Sequence, residues 1–355
     1  MNRIQNLIAR LPEDVDGALI TSTVNRYYLT GMRSTAGHLL VTREGAYAIF
    51  DFRYIEAARK AVKDCEVILQ DKLEEQLKEL VEKHGIHRLA LEITYQTVGE
   101  MNRFREMLPE VEILTDDRVD SAIQELRKIK DSSELDAIRK AQSITDKSFS
   151  EILEFIKVGM TERQIAAELE YRMKKNGADG LAFATICVAG PNSSMPHGVP
   201  GDRPVQAGDF LTMDFGAAFA GYCSDMTRTV AIGHVTEEME KVYNLVLQAQ
   251  LASIAKIAPG VPCVAVDAAA RDLIYGAGYE GCFGHGTGHS LGIEIHEEPR
   301  FSAISKADCE AGIVMSVEPG IYLSGRFGCR IEDIVVITEN GCEDLTHSPK
   351  ELIIL

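Results

Sequence analysis

The sequence predicts an α/β (α+β) protein in two parts. An α/β domain covers residues 1–125, and a second domain over 126–355 is built twice from a helix followed by antiparallel strands. Three observations carry this. Short apolar runs alternate with amphipathic runs up to about residue 120; the second half repeats itself; and each copy of the repeat leads into a hairpin-like stretch carrying a pair of acids.

In the first domain GALIT, HLLVTREGAYAIF, CEVIL, LALEI and VEILT have the apolar, β-branched character of strands, and KLEEQLKELVEK between them has helical spacing. The polar stretch RKIKDSSELDAIRKAQ follows. It offers Asp131 or Ser132 as the cap of a long helix that opens the second domain.

The repeat pairs VGMTERQIAAELEYRMKKNGADG with PGVPCVAVDAAARDLIYGAGYEG, so that Gly159, Gly177 and Gly180 fall on Gly260, Gly278 and Gly281, 101 residues further on. Each copy reads as a helix that starts after a glycine turn and stops at a glycine able to take positive φ. Thr161 and Gln164 have the spacing of a capping box.

The first hairpin is FLTMDFGAAFAGYCSDMTRTVAI. A turn centred on Phe219 and Ala220 would set Asp214 directly opposite Asp225. Opposed side chains have Cβ atoms roughly 4.5–5.5 Å apart, where two bare carboxylates repel, so a positive group is expected between them. The second hairpin, IVMSVEPGIYLSGRFGCRIEDIVVIT, folds about Gly325 by the same arithmetic and sets Glu318 opposite Glu332.

Between the hairpins, FGHGTGHSLGIEIHEEP gathers His285, His289 and His296, three of the nine histidines. Four carboxylates and one imidazole are what two neighbouring divalent ions need, because bridging carboxylates hold metals about 3.5–4 Å apart and activate a water between them. Oxygen-rich ligation favours Mn2+, with Co2+, Fe2+ and Zn2+ open.

Composition narrows the function classes. With 37 Lys and Arg against 54 Asp and Glu, a net charge of -17 offers no basic field for nucleic acid or anionic membrane. Arg10 and Pro12 interrupt the apolar start, so a cytoplasmic location is expected. The eight cysteines include no C-x-x-C pair and read as reduced thiols.

Taken together, NRYYLTG, DFRY, Asp214, Asp225, His289, Glu318 and the Glu332 of RIED resemble the proline-specific metallopeptidases of the pita-bread fold, Xaa-Pro dipeptidase (prolidase) and Xaa-Pro aminopeptidase. The resemblance spans nearly the whole chain. It implies a creatinase-like N-terminal domain, a pita-bread catalytic domain, hydrolysis of short proline-containing peptides, and a homodimer. It makes Asp214 and Asp225 ligands of one ion and His289 a ligand of the other, with Glu318 and Glu332 completing the pair. His285 is then part of the glycine-rich wall. His197, in GPNSSMPHGVP, and His296 match the two active-site histidines that are not ligands, expected to stabilise the oxyanion and assist proton transfer.

The expected chemistry is attack of a metal-bridging hydroxide on the scissile carbonyl, with Glu318 relaying a proton to the departing nitrogen. Proline makes that nitrogen a tertiary amide without an N–H, so a dedicated pocket is expected; Phe183, Ile186 and Tyr322 are its candidate walls. Arg330 either braces Glu332 or binds substrate. Arg300, placed on a loop, either grips a C-terminal carboxylate or is solvated. Dipeptidase and aminopeptidase both stay open.

Duller readings compete. A lone buried aspartate is more often a cap or ion-pair partner than a ligand, and a lone core histidine is usually structural. A non-catalytic binding protein on this scaffold, or a related hydrolase with another small substrate, such as a creatinase, would be marked by a lost ligand; all five are present.

Overall fold

The computed structural model describes residues 2–355 and divides the chain into two compact units, Met1–Arg127 and Lys128–Leu355. The expected boundary at 125/126 falls two residues before this division.

The first unit is a six-stranded sheet in the order Glu66–Leu69, Ala46–Phe50, His38–Thr42, Gly17–Ile20, Arg88–Leu91, Glu112–Leu114. Each strand coincides with an apolar run read from the sequence, Arg88–Leu91 starting one residue before LALEI and the others falling within their runs. The three pairings built around Gly17–Ile20 and His38–Thr42 combine two antiparallel pairs with one parallel pair. Both faces of the central strand are buried, which explains its unbroken apolar sequence. Leu19, Leu40, Leu89 and Leu91 pack with Leu77 and Leu80 of the helix Leu73–Lys83.

The second unit carries the duplication. Asp131 caps the helix Ser132–Phe155 in a capping box with Glu134. The helices Glu162–Lys175 and Cys263–Gly276 lie 101 residues apart at both ends, and the first has the Thr161–Gln164 capping box. Gly159 and Gly260 before them and Gly177 and Gly278 after them all have positive φ, as the repeat requires. Gly281 does as well, whereas its counterpart Gly180 starts a short strand.

Each helix pair covers one sheet. Phe149, Ile152, Ile165 and Leu169 pack on Leu211, Met213 and Phe215, leaving Thr212 and Asp214 on the other strand face. In the second copy Ile257, Cys263 and Val266 pack on Met315 and Val317, leaving Ser316 on the opposite strand face. Both sheets therefore turn alternate residues away from their helices. No helix among the described residues is long and apolar enough to cross a membrane.

Candidate metal centre and catalytic cleft

The first hairpin turns at Ala220 and Gly221, both at positive φ, one position later than the sequence arithmetic assumed. Asp214 consequently pairs with Thr227, not Asp225. The sum of paired residue numbers changes by two, which preserves the face, so Asp214 and Asp225 become diagonal neighbours on one side of the hairpin. In the second hairpin Val317 pairs with Asp333 and Gly320 with Arg330. The constant register across both pairings aligns Glu318 with Glu332. Between the hairpins, His289 sits on the short strand Gly288–Ser290. A Cβ on Gly288 would meet the Ser316 carbonyl at 2.0 Å, so only glycine lets this strand approach the acid-bearing one.

Asp225, His289 and Glu332 each bring a ligand atom within 4.8 Å of one another, and all three are buried. His289 Nε2 lies 3.6 Å from Asp225 Oδ2 and 3.3 Å from Glu318 Oε1. Its Nδ1 faces the Ser290 carbonyl at 3.1 Å, an arrangement that turns Nε2 towards the carboxylates. Burial pushes the His289 imidazole down to about 4, so it is neutral near pH 7 and has a lone pair to offer.

The acids are poorly compensated. Burial, followed by the charges of Asp214 and Glu318, holds Asp225 well above the usual carboxylate range. Glu332 is raised by burial and then by Asp225, Glu318 and Asp214. Burial also raises Glu318, although His285 and Arg330 oppose it. Asp214 Oδ1 and Glu332 Oε1 are buried with no hydrogen-bond donor. Buried carboxylates stripped of water and unmatched by donors fit divalent cations, which supply charge and accept these oxygens as ligands.

Arg330 corrects one expectation. It braces Asp214, not Glu332: its guanidinium donates to Asp214 Oδ2 at 2.7 Å, to the Tyr322 hydroxyl at 2.7 Å and from Nε to Thr227 Oγ1 at 3.0 Å. Thr227 in turn donates to Glu332 Oε2 at 2.6 Å. Reading along one strand suggested the pairing with Glu332, but the long side chain reaches across to the neighbouring hairpin.

These groups open into a cleft of about 620 Å3 whose wall includes Phe183, Ile186, His197, His285, His296 and Arg300. Tyr322 lies outside this lining. Its hydroxyl stands between Arg330 and His285 Nε2, 2.9 Å away, so it organises polar groups instead of forming an apolar wall. Burial pushes that hydroxyl up to about 12, keeping it protonated. His296 packs edge-on to His289 at 4.5 Å between ring centroids. Burial, then nearby His289 and Arg300, lowers its pKa. Arg300 lies on the strand Glu297–Phe301, not a loop, opposite His289, and its exposed guanidinium is paired with Glu298 at 3.1 Å.

Sequence reading did not assign Thr227 or Tyr322 to this hydrogen-bonded chain. The polar TRT alternation on the strand Met226–Ala231, directly after Asp225, was the available signal for Thr227.

A neutral imidazole among buried, under-compensated carboxylates is a donor set suited to divalent metal, and comparison with known proteins places the chain among metallopeptidases. Residues 136–339 match metallopeptidase family M24, and residues 3–129 match the creatinase/prolidase N-terminal domain. The chain superposes on the solved Xaa-Pro dipeptidase from Bacillus anthracis with a TM-score of 0.95, 38% identity and 99% of each chain covered. On the X-Pro aminopeptidase from Thermotoga maritima the TM-score is 0.92, with 35% identity over 100% of both chains. It is 36% identical to the Xaa-Pro dipeptidase of Pyrococcus horikoshii, over 96% of this chain and 95% of that protein. This chain therefore belongs to metallopeptidase family M24, with a creatinase/prolidase N-terminal domain preceding its pita-bread domain.

Proposed function

We propose that the chain is a dinuclear-metal exopeptidase that hydrolyses the bond between an N-terminal residue and proline, in dipeptides or longer peptides. The observation that carries it is the buried cluster of Asp225, His289 and Glu332, with Glu318 against the imidazole and unmatched oxygens on Asp214 and Glu332. Asp214, Asp225, His289, Glu318 and Glu332 would hold two divalent ions, Mn2+ by preference, given one imidazole and otherwise oxygen ligands. When bound, such ions supply a Lewis acid and an activated water.

The chain's own residues do the remaining work. Glu318, 3.3 Å from His289 Nε2 and lining the cleft, would take a proton and pass it towards the proline nitrogen. His197 and His296 face the same cleft and would donate to the carbonyl oxygen as it gains charge. Phe183 and Ile186 give the proline ring an apolar wall. Arg330 and Tyr322 hold Asp214 and His285 in place rather than touching peptide. The same reading has the chain working as a cytoplasmic homodimer.

The test is the time course of Ala-Pro and Ala-Pro-Gly-Gly cleavage with added Mn2+, products being resolved by mass. Cleavage of the dipeptide alone assigns a dipeptidase, and release of alanine from both assigns an aminopeptidase. Failure on both with the ions bound overturns the proposal.

A further inference from the structure

The two helices related by the 101-residue offset each bury one carboxylate that the chemistry above does not use. Glu162 opens the first, is 0% exposed, and spans a loop. Its Oε1 accepts from Ala189 N at 2.8 Å and Asn192 Nδ2 at 3.0 Å, while Oε2 accepts from Gly201 N at 3.0 Å. Ala189 and Gly201 are the two ends of the segment that carries His197 into the cleft wall.

Asp267, 1% exposed, lies one turn into the second helix. Its Oδ1 accepts from Thr287 N at 3.0 Å and Thr287 Oγ1 at 2.9 Å. It also pairs with Arg271, whose guanidinium donates to the carbonyls of Phe283 at 3.0 Å and His285 at 2.8 Å. The Thr287 carbonyl then accepts from Glu318 N at 2.7 Å. The parallel extends to the backbone: Thr161 bridges Pro204 and Pro262 bridges Asp308, so each helix start is fastened to the chain beyond its loop.

Both loops are glycine-rich, with glycine at 190, 198 and 201 in one, where Pro191, Pro196 and Pro200 restrain part of the backbone, and at 284, 286 and 288 in the other. A buried carboxylate is costly unless its oxygens are matched by donors, so each loop conformation that supplies those donors is selected over the others. We infer that Glu162 and Asp267 are a matched pair of positioning residues, each fixing from its own repeat helix the loop that presents cleft histidines: His197 for Glu162, His285 and His289 for Asp267.

An amide offers one acceptor oxygen where a carboxylate offers two, so Glu162→Gln strands one end of its loop and Asp267→Asn strands either Thr287 or Arg271. Hydrogen–deuterium exchange reads the consequence without any need for activity. Glu162→Gln is expected to speed exchange across 189–201 and leave 283–290 as in the parent; Asp267→Asn is expected to do the reverse. Unchanged exchange at the matched loop, or acceleration everywhere, overturns the inference.

A kinetic arm rests on the proposed peptidase activity. In Mn2+-loaded protein Glu162→Gln should lower kcat on Ala-Pro by about tenfold, less than the ~100-fold or more of losing a positioned proton-transfer group outright, with KM nearly unchanged. If it acts through His197, adding Glu162→Gln to His197→Ala costs little more, whereas multiplying losses contradict it. Should Glu162→Gln fail to fold, Glu162→Asp takes its place in both arms, keeping two oxygens but shortening the reach. A parent chain inactive on both Ala-Pro and Ala-Pro-Gly-Gly refutes the peptidase reading and leaves the exchange comparison to decide the clamps.

Discussion

Arg330 donates to Asp214 Oδ2 at 2.7 Å, and both side chains are buried. The pair ties the second hairpin to the first at the level of the candidate metal ligands. Removing one partner of a buried ion pair leaves the other charge without compensation. Arg330→Met should therefore cost about 3–5 kcal/mol in the metal-free protein, measured by urea unfolding. Adding Asp214→Asn should recover part of that loss; no recovery would mean the arginine stabilises through packing alone.

Asp225 gives a pH dependence with a definite sign. Burial and then Asp214 and Glu318 raise its pKa in the fold. Such an acid contributes stability below its ordinary range near 3.8, and that contribution is lost as pH rises through the raised value. Metal-free Asp225→Asn, which cannot ionise there, should melt above the metal-free parent at alkaline pH, with the gap closing towards pH ~4. Calorimetry at a series of pH values checks this, and a gap that widens on acidification contradicts it.

Thr227 accepts from Arg330 Nε and donates to Glu332 Oε2 at 2.6 Å. Valine keeps the shape and removes the hydroxyl. Thr227→Val should weaken Mn2+ binding by about ten- to a hundredfold in calorimetric titration while the fold persists. Affinity equal to the parent would show that the hydroxyl does not orient Glu332.

Arg300 is the one guanidinium named from the sequence that both lines the cleft and remains exposed. If it grips a substrate carboxylate, Arg300→Ala should lower kcat/KM for Ala-Pro by about tenfold or more, on the scale of a charge-assisted hydrogen bond, and affect Ala-Pro-amide far less. Equal rates for parent and variant on Ala-Pro would assign the arginine to its ion pair with Glu298.

Much of the fold was legible because the signals were local. The strand runs of the first unit, the Thr161–Gln164 box and the glycines flanking both repeat helices each dictate their own geometry. The second hairpin was readable because Gly325 alone sets its register. The first was displaced because Ala220 takes positive φ, which a non-glycine rarely does and which no pattern announces. The site was legible as residue types but not as partners. Arg330 shares a strand with Glu332 yet bonds across to Asp214, and Glu162, which reads as an ordinary acidic first-turn residue, is wholly buried under loop amides. Such contacts depend on how distant segments meet.

The central claim is that these acids and His289 hold ions required for hydrolysis. The most direct measurement is Ala-Pro hydrolysis by metal-stripped protein as Mn2+ is added back, with bound metal counted at each step and Glu318→Gln run alongside. The account predicts no turnover in the stripped protein, activity that saturates at about two ions per chain, and a folded but inactive Glu318→Gln. Full turnover by the stripped protein, or by Glu318→Gln, would contradict it.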